Sequence, residues 1–128
     1  MTRDTGVAIH SDALLGKRVL LAISGGIAAV ESVRLARELR RHQADLTVIM
    51  SEEATKIITP LAVSWGSDTI VHQGWTSEMS QLDDFDVTLI APATRNTISK
   101  HVHGIMDSPL MMALSASRGR KSKLCFVP

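Results

Sequence analysis

Three short polar clusters hold most of the chemistry open to this chain: Ser24-Gly25-Gly26, Ser51, and Ala93-Thr94-Arg95-Asn96-Thr97. Each closely follows an apolar run and each opens a stretch of helical character. Small residues let a ligand approach the backbone, and the free N–H groups of a helix start favour an anion such as phosphate. Taken singly, the three are ambiguous: a tight strand-to-helix turn, an ordinary N-cap and a capping cluster would look the same. A full GxGxxG fingerprint and a Walker lysine are both absent, so neither a dinucleotide nor a nucleoside triphosphate is supported.

Other reactive side chains fall into weaker patterns. His101 and His103 are two apart on a predicted helix, point in different directions and cannot readily chelate one metal ion. His10 and His42 read as solvated or packed, while His72, at the end of a predicted strand, stays open. Asp83, Asp84 and Asp86 lack the spacing of a calcium loop, so no metal site is assigned. The single cysteine, Cys125, excludes an internal disulfide and a CxxC zinc site. Its apolar strand predicts a buried, inert thiol. Met106, Met111 and Met112 read as core filler at helical spacing.

The elements that must position these clusters alternate in type. Residues 17–24 (KRVLLAIS) are a continuous apolar run bounded by glycines, the pattern of a strand buried on both faces. Residues 27–42 predict a helix with Ile27, Val30, Val33, Leu35, Ala36 and Leu39 inward and a basic last turn. A strand over 46–50 follows, then a helix capped by Ser51 and running to about Trp65. Residues 69–72 predict a short strand, 73–85 a loop or poor helix, and 87–91 a fourth strand. A helix over 96–117 and a fifth strand over 123–127 complete the pattern.

Strands and helices alternating through short links predict a parallel sheet with right-handed crossovers. The expected fold is α/β: a three-layer, doubly wound, Rossmann-like sheet in a single domain over residues 16–128, behind a flexible tail at 1–15. In such sheets ligands sit beyond the carboxyl ends of the strands, where strand order reverses. All three clusters follow strands at that edge, and their convergence points to a phosphate-bearing ligand.

Composition narrows the classes. The chain has 128 residues and a formal net charge of +1, with Phe85, Phe126, Trp65 and Trp75 its only aromatics. That leaves neither a basic face nor a stacking platform for nucleic acid. No apolar run is long enough to span a membrane, and the first residues lack the apolar core of a signal peptide, so the expected compartment is cytoplasmic.

Two stretches carry a resemblance. GKRVLLAISGGIAAVESVRLARELRR resembles the first β–α unit of the homo-oligomeric flavin-containing cysteine decarboxylase superfamily, of the phosphopantothenoylcysteine decarboxylase type. APATRNTISKHVHGIMDSP is similar to that family's Pro-Ala-Ser/Thr-x-Asn-Thr motif and its following Gly-Ile-x-Asp segment, and KLCFVP to the strand before its Pro-x-Met-Asn loop. The resemblance implies noncovalent FMN, lined by Ser24, Gly25, Gly26 and Ile27, with Ser51 holding its phosphate or ribityl chain. It implies contacts to flavin and substrate from Ala93, Thr94, Arg95, Asn96 and Thr97. It further implies a homo-oligomer, a trimer or a multiple of trimers with FMN between subunits, and a domain incomplete at its C-terminus.

The chemistry implied is flavin-dependent oxidative decarboxylation of a cysteine-bearing small molecule or peptide. Gly26 stands where the family usually has serine, and Glu78, beside Met79, falls where its decarboxylases carry a histidine. Glu78 and Asn96 are therefore the candidate catalytic pair. The alternatives are a flavin reductase or electron-transfer flavoprotein, and a non-catalytic binding subunit of the same fold.

Overall fold

The computed structural model describes residues 7–77 and 83–128. Strands β1 (Arg18–Ile23), β2 (Asp45–Met50), β3 (Val71–His72), β4 (Val87–Ile90) and β5 (Lys123–Phe126) form one sheet in the order β3-β2-β1-β4-β5. All four pairings are parallel. Helices α1 (Ser32–Arg41) and α2 (Pro60–Ser67) pack on one face, α3 (Arg95–Val102) and α4 (Pro109–Gly119) serve the other. This is the expected doubly wound three-layer fold. Strand order reverses between β1 and β4, whose carboxyl ends flank the switch point.

Period-two alternation divides the core. Val19, Leu21 and Ile23 of β1 point into the layer under α1 and α2, and Leu20 and Ala22 into the layer under α4. β1, the central strand, is therefore apolar on both faces, which is why its sequence reads as an unbroken run. Leu110, Met111, Ala113 and Leu114 are buried, so the Met-rich start of α4 is core.

Three expected helices are interrupted, each for a local reason. Residues 27–42 divide into a 3-10 turn (Ile27–Glu31) and α1. Ala29 and Ser32 fill the inward positions, leaving Ile27 80% and Val30 51% exposed instead of inward-facing. After β2 the chain makes a 3-10 turn (Ala54–Lys56), and α2 restarts at Thr59, whose hydroxyl caps Ala62 N at 3.1 Å with Pro60 as first helical residue. The predicted helix over 96–117 is two helices. Gly104 at φ +72 ends the first, and Ser108 caps the second ahead of Pro109, with Met111 N at 3.2 Å. Met106, left in that link, is 51% exposed and is not core filler.

One side chain also differs from expectation. Cys125 is exposed. It lies on the edge strand and alternates with Leu124 and Phe126, which pack toward α4. The stretch before β1 is tied down from His10 onward: His10 N and Leu14 N bond Arg41 O and His42 O at 2.9 Å. Ser11 Oγ meets His42 Nδ1 at 2.6 Å, and His42 Nε2 meets Glu38 at 3.2 Å. These contacts occupy carbonyls that the end of α1 would otherwise leave unpaired.

Candidate functional site

Register brings the three clusters to one level. Ile23 lies opposite Met50, and Ala22 opposite Ile90, so the chain leaves β1, β2 and β4 at the same edge. Ser24-Gly25-Gly26, Ser51 and Ala93–Thr97 thus share the rim at the switch point, as their positions after strands require.

The turns after β1 and β4 are bonded to each other. Ser24 is 1% exposed. Its hydroxyl donates to Pro92 O and accepts from Thr94 N at 3.0 Å, and its own N–H reaches Pro92 O at 3.3 Å. The Ala91–Pro92 peptide is cis. Pro92, which the sequence marked only as the end of a strand, supplies the shared acceptor. Ala93 is buried beneath the turn, its N–H on Val127 O.

Thr94 then caps α3. Its hydroxyl accepts from Thr97 N at 3.2 Å and donates to Thr97 Oγ1 at 2.9 Å, and Ile98 N bonds Thr94 O at 3.0 Å. The N–H groups of Arg95 and Asn96 remain, beyond reach of any intrahelical carbonyl. Both side chains are exposed on the rim. The donor set is a helix start, a guanidinium and an amide, which suits a phosphate.

Gly25 and Gly26 serve different ends. A Cβ on Gly25 would lie 2.5 Å from Glu53 Cβ and 3.1 Å from Glu53 C, so this glycine admits the β2 turn to the β1 turn. A Cβ on Gly26 meets Pro92 and Thr94 atoms at 3.4–3.6 Å, ordinary contact, and its backbone is extended (φ −90). The rim therefore has room for a side chain at 26 and none at 25.

Ser51 stands in a different setting. Its N–H bonds Ile23 O at 3.0 Å and its hydroxyl accepts from Ala54 N at 3.1 Å, but the 3-10 turn that follows has Glu53, not the expected Ser51, as its N-cap residue. Glu52 and Glu53 follow it, both exposed. Beside it opens a cavity of about 200 Å³, walled in part by Glu52, Trp75, Asp107 and Ser108. Asp107 is paired with Lys100 at 3.0 Å. A more voluminous depression, about 480 Å³, lies on the outer face of α1 among Arg34, Arg37, Glu38 and Arg41.

Glu78 lies outside the described residues. Asn96 is exposed on the rim and Ile27 projects from it. At the far end of α3, His101 is held below its usual range, first by partial burial and then by Arg118. It packs against Phe126 with ring centroids 5.6 Å apart.

Comparison with known proteins fits this geometry. A family model described as Flavoprotein matches residues 7–128. The coenzyme A biosynthesis bifunctional protein CoaBC of Thermococcus kodakarensis is 42% identical over 117 residues, covering 86% of this chain and 29% of that protein. The chain spans less than a third of the length of the curated relatives it matches. Among solved structures, the FMN-dependent cysteine decarboxylase SpaF superposes with a TM-score of 0.75 at 24% identity, over 82% of this chain and 65% of that one. A dodecameric FMN-dependent UbiX-like decarboxylase from Escherichia coli O157:H7 gives 0.77 at 19% identity, over 87% and 66%. These two likenesses establish the fold.

Proposed function

The chain belongs to the Flavoprotein family, and from that premise we propose that it binds FMN at the rim of β1, β2 and β4 and supports decarboxylase-type chemistry there. The observation that carries the reading is the α3 start. Two unclaimed N–H groups, Arg95 and the Thr94–Thr97 hydroxyls lie together at the switch point.

The residues fit the cofactor, with its two ends in different places. The phosphate belongs at the α3 start, where Arg95 and the helix dipole favour a dianion. Ser51, flanked by Glu52 and Glu53, suits the ribityl hydroxyls, which can donate to carboxylates that would repel a phosphate. Gly25, Gly26 and Ile27 would face the ring system, where the lack of a side chain at 26 leaves room for close approach. Ser24, buried and bonded through its hydroxyl to Pro92 O and Thr94 N, would shape this part of the rim from beneath.

FMN, when bound, supplies the electron acceptor for oxidation of a cysteine's thiol-bearing carbon, with loss of carbon dioxide following. The chain's own task is to hold the substrate over the ring and to move its protons. Asn96 would orient the substrate through its amide. Glu78 would act as base where the family's decarboxylases use histidine. The substrate class is a cysteine-bearing small molecule or peptide, and the setting a cytoplasmic homo-oligomer. Ile27, Val30, Leu61 and Trp65, all more than 40% exposed, offer apolar surface for neighbouring subunits.

Purified chain is expected to be yellow, or to take up FMN in preference to FAD with a rise in melting temperature. No uptake of either would end the reading. Glu78→Gln is expected to abolish carbon dioxide release while leaving FMN binding intact. Because glutamate stands at the histidine position, a reductase is the second reading. Rapid bleaching of bound flavin by NAD(P)H without carbon dioxide release would select it.

A further inference from the structure

We propose that Ser11, His42 and Glu38 form a second reactive site, in which the Ser11 hydroxyl acts as a nucleophile toward activated esters of short apolar acids. The site lies at the amino-terminal edge of the sheet, between the stretch before β1 and the end of α1, opposite the rim. It is independent of the flavin reading.

A continuous chain of bonds joins the three side chains. Ser11 Oγ meets His42 Nδ1 at 2.6 Å, His42 Nε2 meets Glu38 Oε1 at 3.2 Å, and Arg41 Nη1 donates to Glu38 Oε2 at 2.8 Å. The partners assign the protons. The Glu38 carboxylate can only accept, so Nε2 carries the imidazole proton and Nδ1 keeps a lone pair. Ser11 Oγ accepts from Ala13 N at 3.2 Å, which leaves its own proton for Nδ1. Arg41, through its hydrogen bond, holds the Glu38 carboxyl below its usual range, so the carboxylate is ionised at neutral pH.

Anchoring the stretch before β1 does not require this chain. Backbone bonds already do so: His10 N and Ser11 N reach Arg41 O, and Leu14 N reaches His42 O. Gln43 Nε2 adds a bond to Ser11 O at 3.0 Å. Together they fix the serine against the helix end, as a nucleophile and its base must be fixed. His42 directly follows α1, so an imidazolium formed there would face both Glu38 and the carbonyl end of the helix, which favour positive charge. A depression of about 350 Å³, walled in part by Val7, Ile9 and Leu15, is bounded by the same Gln43 and offers an apolar seat for an acyl chain.

In the step proposed, Ser11 Oγ bonds the ester's carbonyl carbon as the bond to the leaving oxygen breaks. The hydroxyl proton passes to His42 Nδ1 and from there to the departing alkoxide or phenoxide. The acyl group stays on Ser11 until water removes it by the same route. Activation of the ester stands in for the oxyanion donors that act on unactivated substrates.

p-Nitrophenyl butyrate is the probe. The full chain is reacted with it and the adducts are located by peptide mapping, since the exposed Cys125 thiol competes for the reagent. Ser11 is expected to be acylated at least about a hundredfold faster than other exposed serines, the scale of general-base assistance. His42→Asn, whose amide still accepts from Ser11 but takes no proton, should remove that advantage with little change in melting temperature. Glu38, a positioning residue, is tested by Glu38→Gln, which should slow Ser11 about tenfold and move the midpoint of its rate–pH curve to lower pH. The shift follows because the imidazolium loses its carboxylate, while Arg41 and the edge-on ring of His10, centroids 6.4 Å away, remain. A packing role for the glutamate would leave that midpoint in place. Ser11 reacting no faster than other exposed serines would overturn the proposal, and this wild-type comparison holds whether or not the variants fold. An undiminished rate in His42→Asn, or an unmoved midpoint in Glu38→Gln, would overturn it as well.

Discussion

The rim has two regions of opposite character. Where β1 and β4 end, Ser24, Pro92, Thr94 and Thr97 are joined in one hydrogen-bonded group that contains no carboxylate and borders Arg95. Where β2 ends, Ser51 is followed by two exposed glutamates and borders a cavity that also receives Asp107. Both regions offer serine or threonine hydroxyls near a helical turn, and by residue type alone either could hold a phosphate. The neighbouring charges and the unclaimed N–H groups distinguish them. A hydroxyl beside a helix start is thus a weak sign of an anion site until its surroundings are known.

The contrast is most easily broken where the regions meet. Gly25→Ala drives a methyl group into Glu53, and is expected to cost about 1–3 kcal/mol by overpacking together with most flavin uptake. Gly26→Ser, placing the family's usual residue where there is room, should leave the melting temperature unchanged. Equal tolerance of both changes in thermal unfolding would mean that the two turns do not interlock as described.

A charge reversal tests the assignment of the two ends. Arg95→Glu should weaken FMN by about tenfold, the scale of a lost charge-assisted bond, with riboflavin unaffected. Acidic residues suit a helix's first turn, so folding should not suffer. The complementary change, Glu52→Gln, should weaken FMN and riboflavin alike and by no more than about severalfold, because an exposed carboxylate that would accept from the ribityl hydroxyls is replaced by a neutral amide. A severalfold gain in FMN affinity on Glu52→Gln would instead place the phosphate at Ser51.

The smallest effect concerns pH at the far end of α3. Burial and Arg118 lower the pKa of His101 in the folded chain, so the unfolded chain binds its proton more readily. The stability this confers is present above the unfolded value of about 6.5 and is lost as pH falls from there through the folded value. Melting temperature should therefore decline on acidification below about pH 6.5, and His101→Gln should reduce that decline. Identical profiles for the two proteins would show that His101 contributes nothing to it.

The sequence by itself determined the alternation of elements, the parallel sheet and the three polar clusters at one edge. Each rests on a local signal: continuous apolar runs in twice-buried strands, polar residues where a helix must be capped, and right-handed crossovers that leave a few topologies. Local signals also existed for the broken helices, since Gly104 and Pro109 interrupt the stretch predicted as one helix over 96–117, but apolar periodicity outweighed them. Tertiary structure alone decided the rest. That Ser24 holds Thr94, that Gly25 admits Glu53 and that Cys125 faces outward depend on which strands and turns become neighbours. Those neighbours lie 70, 28 and 36 residues away in the chain, as with Thr94, Glu53 and Leu89, the residue paired with Cys125. Residue type specifies what a hydroxyl can bond to, but only the packed sheet brings a particular acceptor within 3 Å.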